Sequence, residues 1–354
     1  MRKVYIWGII LALAVFTAAF LGGCGNKAAN PPKEGTKQET GAGQQAETKK
    51  LKIAMLLPGT INDNGWNASA YEGLMLAKEK EGAEVAYREN VSQSDQEEAF
   101  RAYASSGYNV IFAHGFEFGD AAKKVAKDFP KTKFVVTSSD ISQEPNVASL
   151  DIANKEVGFL GGVAAGLITK SNKVGFVGGM SIPSIINCRD GFIAGAKYAN
   201  PGVTVLDSLT GNFDDAAKAR EMAVALINQG ADIVMQDADQ AGLGVIQAGK
   251  DKKVLVIGYG KDQSNLAPEN VVVSSKQSVP VGIAYITDLI AHGQFQAKAY
   301  LVGIKEGATG LYWNEQLASK VVKPEAKQKI EAIMADLKAG KINVDELIAK
   351  SKNK

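Results

Sequence analysis

The feature that most constrains the fold is a regular alternation of short β-branched runs with longer stretches of helical spacing, which begins at Leu51 and restarts at Lys173. Residues 51–57 (LKIAMLL) form a near-continuous apolar run, as expected of a strand buried on both faces. Residues 65–80 follow with Ala70, Leu74 and Ala77 at helical spacing. A strand near 84–87, a helix over 95–106, a strand over 109–113, a helix over 120–128 and a strand over 133–137 come next. This βαβαβαβ order predicts an α/β fold with a doubly wound parallel sheet.

The same construction repeats. Strands are expected at 173–177, 203–206, 231–235 and 253–257, with helices over 186–199, 214–228 and 241–250 between them. The chain is therefore expected to form two doubly wound, Rossmann-like lobes joined by a hinge. Strands at 271–275 and 300–302 flank a helix near 281–291 and read as segments crossing back between lobes. The expected division is 51–148 with 277–300 for the N-terminal lobe, and 149–276 with 301–354 for the C-terminal lobe. Helical stretches near 324–340 and 344–350 end the chain. Open α/β sheets bind ligands beyond the carboxyl ends of their strands, so the space between the lobes is the expected site. Hinge closure is the expected motion.

Ahead of the folded region, Arg2 and Lys3 precede an apolar run from Ile6 to Leu21, which ends in Leu21-Gly22-Gly23-Cys24. A basic start, an apolar core and a small-residue cleavage site make a secretory signal over residues 1–23. A Leu-x-Gly-Cys ending resembles a bacterial lipobox, which predicts a diacylated Cys24 and a membrane anchor on the outer face of the cytoplasmic membrane. Residues 24–50 are rich in Gly, Lys, Gln, Glu and Thr, carry Pro31-Pro32 and have few large apolar side chains, as in a flexible tether. With Cys24 acylated, Cys188 stands alone and no internal disulfide is expected. A formal net charge of +2 gives no sign of a nucleic-acid partner, and a monomer is expected.

The usual equipment of enzymes with this strand order is missing from the sequence. It contains neither a G-x-x-x-x-G-K-[ST] loop nor a G-x-S-x-G elbow, and Gly242-Leu243-Gly244 lacks the third glycine of a dinucleotide fingerprint. Two histidines and one remaining cysteine do not supply a common zinc site, and His292 reads as a helix-end residue. No catalysis, metal or cofactor is expected.

The expected cleft residues lie at strand ends. The loop after the first strand carries Asn62, Asp63, Asn64, Trp66 and Asn67 ahead of a helix. Asp63 or Asn64 there reads either as an N-cap or as a ligand group, and Trp66 either as core or as a stacking surface. Together the indole, carboxylate and amides suit a flat, hydrogen-bonding ligand. The third strand ends in His114-Gly115-Phe116, where Gly115 admits close backbone approach and Phe116 offers a second ring. In the second half, Asp237 and Asp239 follow one strand, and Gly260 and Asp262 follow the next. These carboxylates suit ligand hydroxyls or ring N–H groups, or cap the helices behind them.

Taken in order, Asp63-x-x-Trp66-Asn67, Tyr71-Glu72-Gly73, Gly115-Phe116-x-x-x-Asp120-Ala121, Gly161-Gly162-x-Ala164-Ala165-Gly166, Asp190-Gly191-Phe192-x-Ala194-Gly195-Ala196, Ile257-Gly258-x-x-x-Asp262-Gln263 and Ser275-Lys276 resemble the basic membrane protein family. These are purine nucleoside receptor lipoproteins of bacterial ABC importers, and the resemblance spans nearly the whole folded region. It implies a type I periplasmic-binding-protein fold, a purine nucleoside or nucleobase ligand and an ABC permease as partner. Carried over, Asp63, Trp66 and Asn67 contact the base with Phe116 nearby, and Asp239 and Lys276 reach polar groups from the far side. Two positions depart from the family pattern. Trp66 stands where Phe is common, and Gly260 stands where an acidic residue is expected to hold ribose hydroxyls. Nucleoside and free base therefore both stay open. A sugar-binding lipoprotein and a ligand sensor signalling to a membrane partner are the competing readings.

Overall fold

The computed structural model describes residues 50–63 and 65–352. The expected signal, Cys24 and the expected tether up to residue 49 lie outside the described residues. Along the chain the strands are β1 (Lys52–Leu56), β2 (Glu84–Arg88), β3 (Val110–Ala113), β4 (Lys133–Thr137), β5 (Val147–Ile152), β6 (Lys173–Gly178), β7 (Thr204–Leu209), β8 (Ile233–Asp237), β9 (Leu255–Gly260), β10 (Val271–Gln277), β11 (Ala299–Val302) and β12 (Thr309–Trp313). The helices are α1 (Trp66–Glu81), α2 (Gln96–Ser105), α3 (Gly119–Ala126), α4 (Asn154–Ile168), α5 (Pro183–Ala199), α6 (Ala216–Asn228), α7 (Gly242–Lys252), α8 (Val279–Ala291), α9 (Glu315–Val321), α10 (Pro324–Lys338) and α11 (Val344–Lys352).

Two six-stranded sheets result, in the orders β11-β5-β4-β3-β1-β2 and β12-β10-β9-β8-β6-β7. Every pairing in the first sheet is parallel. In the second, only the edge strand β12 runs antiparallel, against β10. The two orders correspond strand for strand, which is the repeat visible in the sequence. The central strands are fully buried runs, Ile53 to Leu57 among them, because helices cover both faces.

The chain crosses between the lobes at Ala153, at Ser278 and over residues 303–308. After the second crossing α8 returns to the first lobe, where Gly73 of α1 sits against Pro280 and Ile283. Ser278 caps that helix by accepting from the Val281 amide at 3.4 Å. The third crossing is held by Glu156 of α4, whose Oε2 accepts from the Ile304 amide and the Thr309 hydroxyl, each at 2.8 Å.

Structure and sequence expectation part at the lobe boundaries and at four elements that the sequence does not announce, β5, α4, β12 and α9. The strand β5 belongs whole to the first sheet and runs to Ile152, so a lobe division at 148/149 cuts through it; β11 likewise straddles a division at 300/301, and β10 runs on to Gln277. The helix α4 is absent from the expected elements because its glycines lower helix propensity. Here they serve packing instead. A Cβ at Gly158 or Gly162 would fall on the carbonyl of Cys188 or Phe192 in α5, and one at Gly191 or Gly195 of α5 would fall on the carbonyl of Lys155 or Phe159 in α4. The short elements β12 and α9 were also not expected. Among the described residues, no helix is long and apolar enough to cross a membrane.

Candidate ligand-binding site

The loop between β1 and α1 is organised by Asp63. Its Oδ1 accepts from the amides of Gly65 and Ala68, each at 2.9 Å. Its Oδ2 accepts from the Asn67 amide at 2.9 Å and the Asn67 side-chain Nδ2 at 2.8 Å. The first amides of a helix have no partner within it, and a carboxylate placed there supplies one. Burial alone would raise the Asp63 pKa, but the bonds from Gly65, Ala68 and Asn67 outweigh it and hold the carboxyl below its ordinary range. Asn67 is engaged as well: its Oδ1 accepts from the Gly59 amide at 3.3 Å. Of the two readings of Asp63, the structure therefore displays the cap, with both oxygens turned to its own loop.

These bonds leave Trp66, the first residue of α1, half-buried at the lobe surface. Its indole lies on the imidazole of His114, with ring centroids 3.7 Å apart and planes tilted by 30°. His114 is fully buried at the end of β3, behind the indole. Its Nδ1 is 2.8 Å from Thr137 Oγ1 and its Nε2 is 3.1 Å from the Trp66 carbonyl. Burial pushes the imidazole pKa down to about 3, against the smaller opposing influence of the Trp66 carbonyl and the Asp63 charge, so the ring is neutral. Phe116 stands 66% exposed on the short helix after Gly115 and makes no ring contact among the described residues, so a sandwich with Trp66 is not assembled.

On the second lobe, Asp237 at the end of β8 is buried, and its Oδ2 has no hydrogen-bond partner. Burial drives its pKa up to about 7; the Cys188 thiol bonded to its side chain works against this and the charge of Asp239 adds to it. Two residues on, Asp239 adopts a left-handed backbone (φ 49°). Its carboxylate lies so close to Gly65 of the first lobe that a Cβ there would sit 2.7 Å from Oδ1. Partial loss of solvent at the carboxylate, then the charges of Asp63 and Asp214, raise its pKa, although the residue as a whole is exposed.

The strand ends β9 and β10 complete this side. Gln263 binds them together, accepting from Gln236 Nε2 at 2.8 Å and from the Tyr259 amide at 3.1 Å, and donating its own amide to Ser274 Oγ at 3.1 Å. Asp262 is exposed and accepts from the Ser264 amide at 2.9 Å, a turn cap. Gly260 has φ +83°, and a Cβ there would meet nothing within 4 Å. Lys276 lies between Gly260 and Gly310 in the ladder, with its ammonium 5.5 Å from the Tyr312 ring centroid. Among the described residues it has no carboxylate within ion-pair distance.

The lobes meet directly around the Trp66 loop. Gln240 Nε2 donates to the Asp63 carbonyl at 3.1 Å, and Lys261 Nζ pairs with Glu72 Oε1 of α1 at 2.6 Å. A further chain links the first crossing to β9: Tyr259 donates to Asn154 Oδ1 at 3.2 Å, and Asn154 Nδ2 to Asp151 Oδ1 at 3.5 Å. Burial, with Asp140 adding to it and the Ile152 amide opposing, raises the Asp151 pKa to about 6. Gln240, Lys261, Tyr259 and Asn154 do not stand out in the sequence, and Glu72 does so only as part of the Tyr71-Glu72-Gly73 motif. Their pairing depends on the distance between lobes, which carries no local signal.

Three comparisons place this geometry among known proteins. Residues 50–343 match the family model described as "ABC transporter substrate-binding protein PnrA-like". An ABC transporter nucleoside-binding protein BmpA of Lactococcus lactis is 31% identical over 359 residues, covering 95% of this chain and 97% of that protein. The transcriptional activator protein med of Bacillus subtilis is 31% identical over 270 residues, covering 76% and 84%. Among solved structures, a transcriptional activator of comK from Bacillus halodurans superposes with a TM-score of 0.72 at 25% identity, over 80% of this chain and 96% of that one. A solute-binding protein of an ABC transporter system from Aeropyrum pernix gives 0.69 at 22% identity, over 86% and 98%. The paired sheets have the type I periplasmic-binding-protein architecture. The chain belongs to the PnrA-like family of ABC transporter substrate-binding proteins.

Proposed function

We propose that this protein is a lipoprotein anchored through Cys24 outside the cytoplasmic membrane, where it captures a purine nucleoside or nucleobase and delivers it to an ABC permease. The observation that carries the ligand reading is the half-buried indole of Trp66 next to Gly65, which the Asp239 carboxylate of the second lobe approaches, two residues along from the buried Asp237 with its unpartnered Oδ2. An apolar ring surface and a carboxyl oxygen lacking a donor are complementary to a flat heterocycle with N–H or O–H groups. In this reading Trp66 stacks on the base, Asp237 and Asp239 accept its donors or those of a sugar, and Lys276 donates from the end of β10. Phe116 and Asn67 border the ring, while Asp63 and His114 shape the loop that presents it. The name of the Lactococcus lactis relative agrees with a nucleoside ligand.

Closure needs no chemistry beyond differential affinity: ligand contacts made by both lobes exist only when the lobes are together. The test is isothermal titration of the purified chain in detergent, unfolded and refolded to remove carried ligand. The titrants are adenosine, guanosine, inosine, their free bases, and ribose. Tight binding of a purine compound is expected. Binding of ribose or another sugar with silence from every purine overturns the ligand assignment. A ligand-reporting role is the second reading, favoured by the relative named as a transcriptional activator. Ligand uptake that is lost when the protein is deleted decides for transport.

A further inference from the structure

We propose that His114 is a positioning residue, which fixes the ring of Trp66 and occupies one of its faces, so that the cleft presents a single indole face to a flat ligand. This rests on the reading of the cleft as a site for a stacked ring, and it assigns His114 a role through Trp66 and not through the ligand.

The hydrogen bonds allow one arrangement. A carbonyl only accepts, so Nε2 carries the proton and donates to the Trp66 carbonyl at 3.1 Å. In a neutral imidazole Nδ1 then accepts, and the Thr137 hydroxyl on the neighbouring strand donates to it at 2.8 Å. The ring is thereby held from two directions, by β4 and by the first residue of α1. With centroids at 3.7 Å, no third ring fits between imidazole and indole. The opposite indole face meets no aromatic ring among the described residues. Burial keeps the imidazole uncharged, so the stack carries no desolvated cation. A histidine satisfied within a core would bond to core groups; this one spends one ring nitrogen and one ring face on the same half-buried tryptophan.

The test uses the full chain in detergent with Trp7→Phe and Trp313→Phe, which leaves Trp66 as the sole tryptophan. Without ligand, acrylamide quenching and fluorescence anisotropy report the freedom of the indole. His114→Ala and the milder Thr137→Val are expected to raise quenching and lower anisotropy, while Thr137→Ser, which keeps the hydroxyl, stays at the wild-type values. With guanosine as the probe, His114→Ala is expected to weaken binding about tenfold, and to cause no further loss in a Trp66→Ala background. Equal losses in both backgrounds overturn the proposal in favour of a general structural role. Unchanged quenching in both His114→Ala and Thr137→Val overturns it without any ligand. Failure of the parent protein to bind guanosine counts against the ligand reading alone, and the quenching arm still decides the role of His114.

Discussion

Reversing the charges of Glu72 and Lys261 probes how strongly the two lobes hold each other. The pair spans α1 and the loop after β9 at 2.6 Å, with side chains 53% and 50% exposed. Two unit charges about 4 Å apart attract by about 1 kcal/mol in water-like surroundings. Exposed pairs return roughly 0.2–1 kcal/mol once side-chain ordering is counted. If the contact exists only with the lobes together, that energy alters the ratio of closed to open protein by about 1.4- to 5-fold. Glu72→Lys alone replaces attraction by repulsion and is expected to lower the closed fraction by more than removal of the charge does. Lys261→Glu alone does the same, and the double reversal restores the pair. Small-angle scattering of the ligand-free protein gives the radius of gyration, and stopped-flow tryptophan fluorescence gives ligand dissociation. Both single variants should be more expanded and release ligand faster, and the differences should shrink between about 0.01 M and 1 M salt as the screening length falls from about 30 Å to 3 Å. A double reversal that behaves as the sum of the singles refutes the reasoning.

Three further outcomes follow from the site. Asp63→Ala removes the acceptor of four hydrogen bonds at the start of α1 and should cost about 1–2 kcal/mol of stability by urea denaturation. Because the Asp63 pKa is depressed in the folded protein, its contribution is present above the unfolded value and lost as pH falls through the folded one, so the variant and parent should converge in acid. Asp237 runs the other way: with a folded pKa raised to about 7, the native state binds the extra proton and stability falls as pH rises from the unfolded carboxylate value towards about 7. Asp237→Asn should therefore gain stability over the parent on going from pH 5 to pH 8, and an equal difference at both pH values would contradict the assignment. Gly260→Asp enters open space but a left-handed backbone at φ +83°, so a loss of roughly 1 kcal/mol of stability is expected together with a shift of preference from free base to nucleoside; an unchanged affinity ratio argues against Gly260 as the reason for any base preference.

The alternation of strands and helices was legible because each strand of a parallel sheet is buried on both faces and reads as an apolar block. The elements that escaped are those whose sequence serves something other than their own conformation. The helix α4 is written in glycines for the benefit of α5, and β5 and β11 have to be assigned to a lobe by partners far away in the chain. The same division runs through the site. Trp66 at a helix start and His114 at a strand end are visible as residue types, yet nothing local says that one lies on the other. Asp63 carried two readings, and four short hydrogen bonds display the cap. Asp262 likewise caps a turn, whereas Asp237 keeps an oxygen unpartnered.

The glycine contact between α4 and α5 has a mechanical consequence. At Gly158, Gly162, Gly191 and Gly195 the two helices touch backbone to backbone, and no side chain lies between them at those points to change rotamer and absorb displacement. Cys188, which meets Asp237, and Asn154, which meets Tyr259, both ride on this pair. On the proposed opening and closing, the second lobe is expected to turn as a stiff unit, with the change concentrated at Ala153, Ser278 and residues 303–308. A cross-link that joins α4 to α5 should leave ligand exchange unaltered, whereas stiffening any one of those three pivots should slow it.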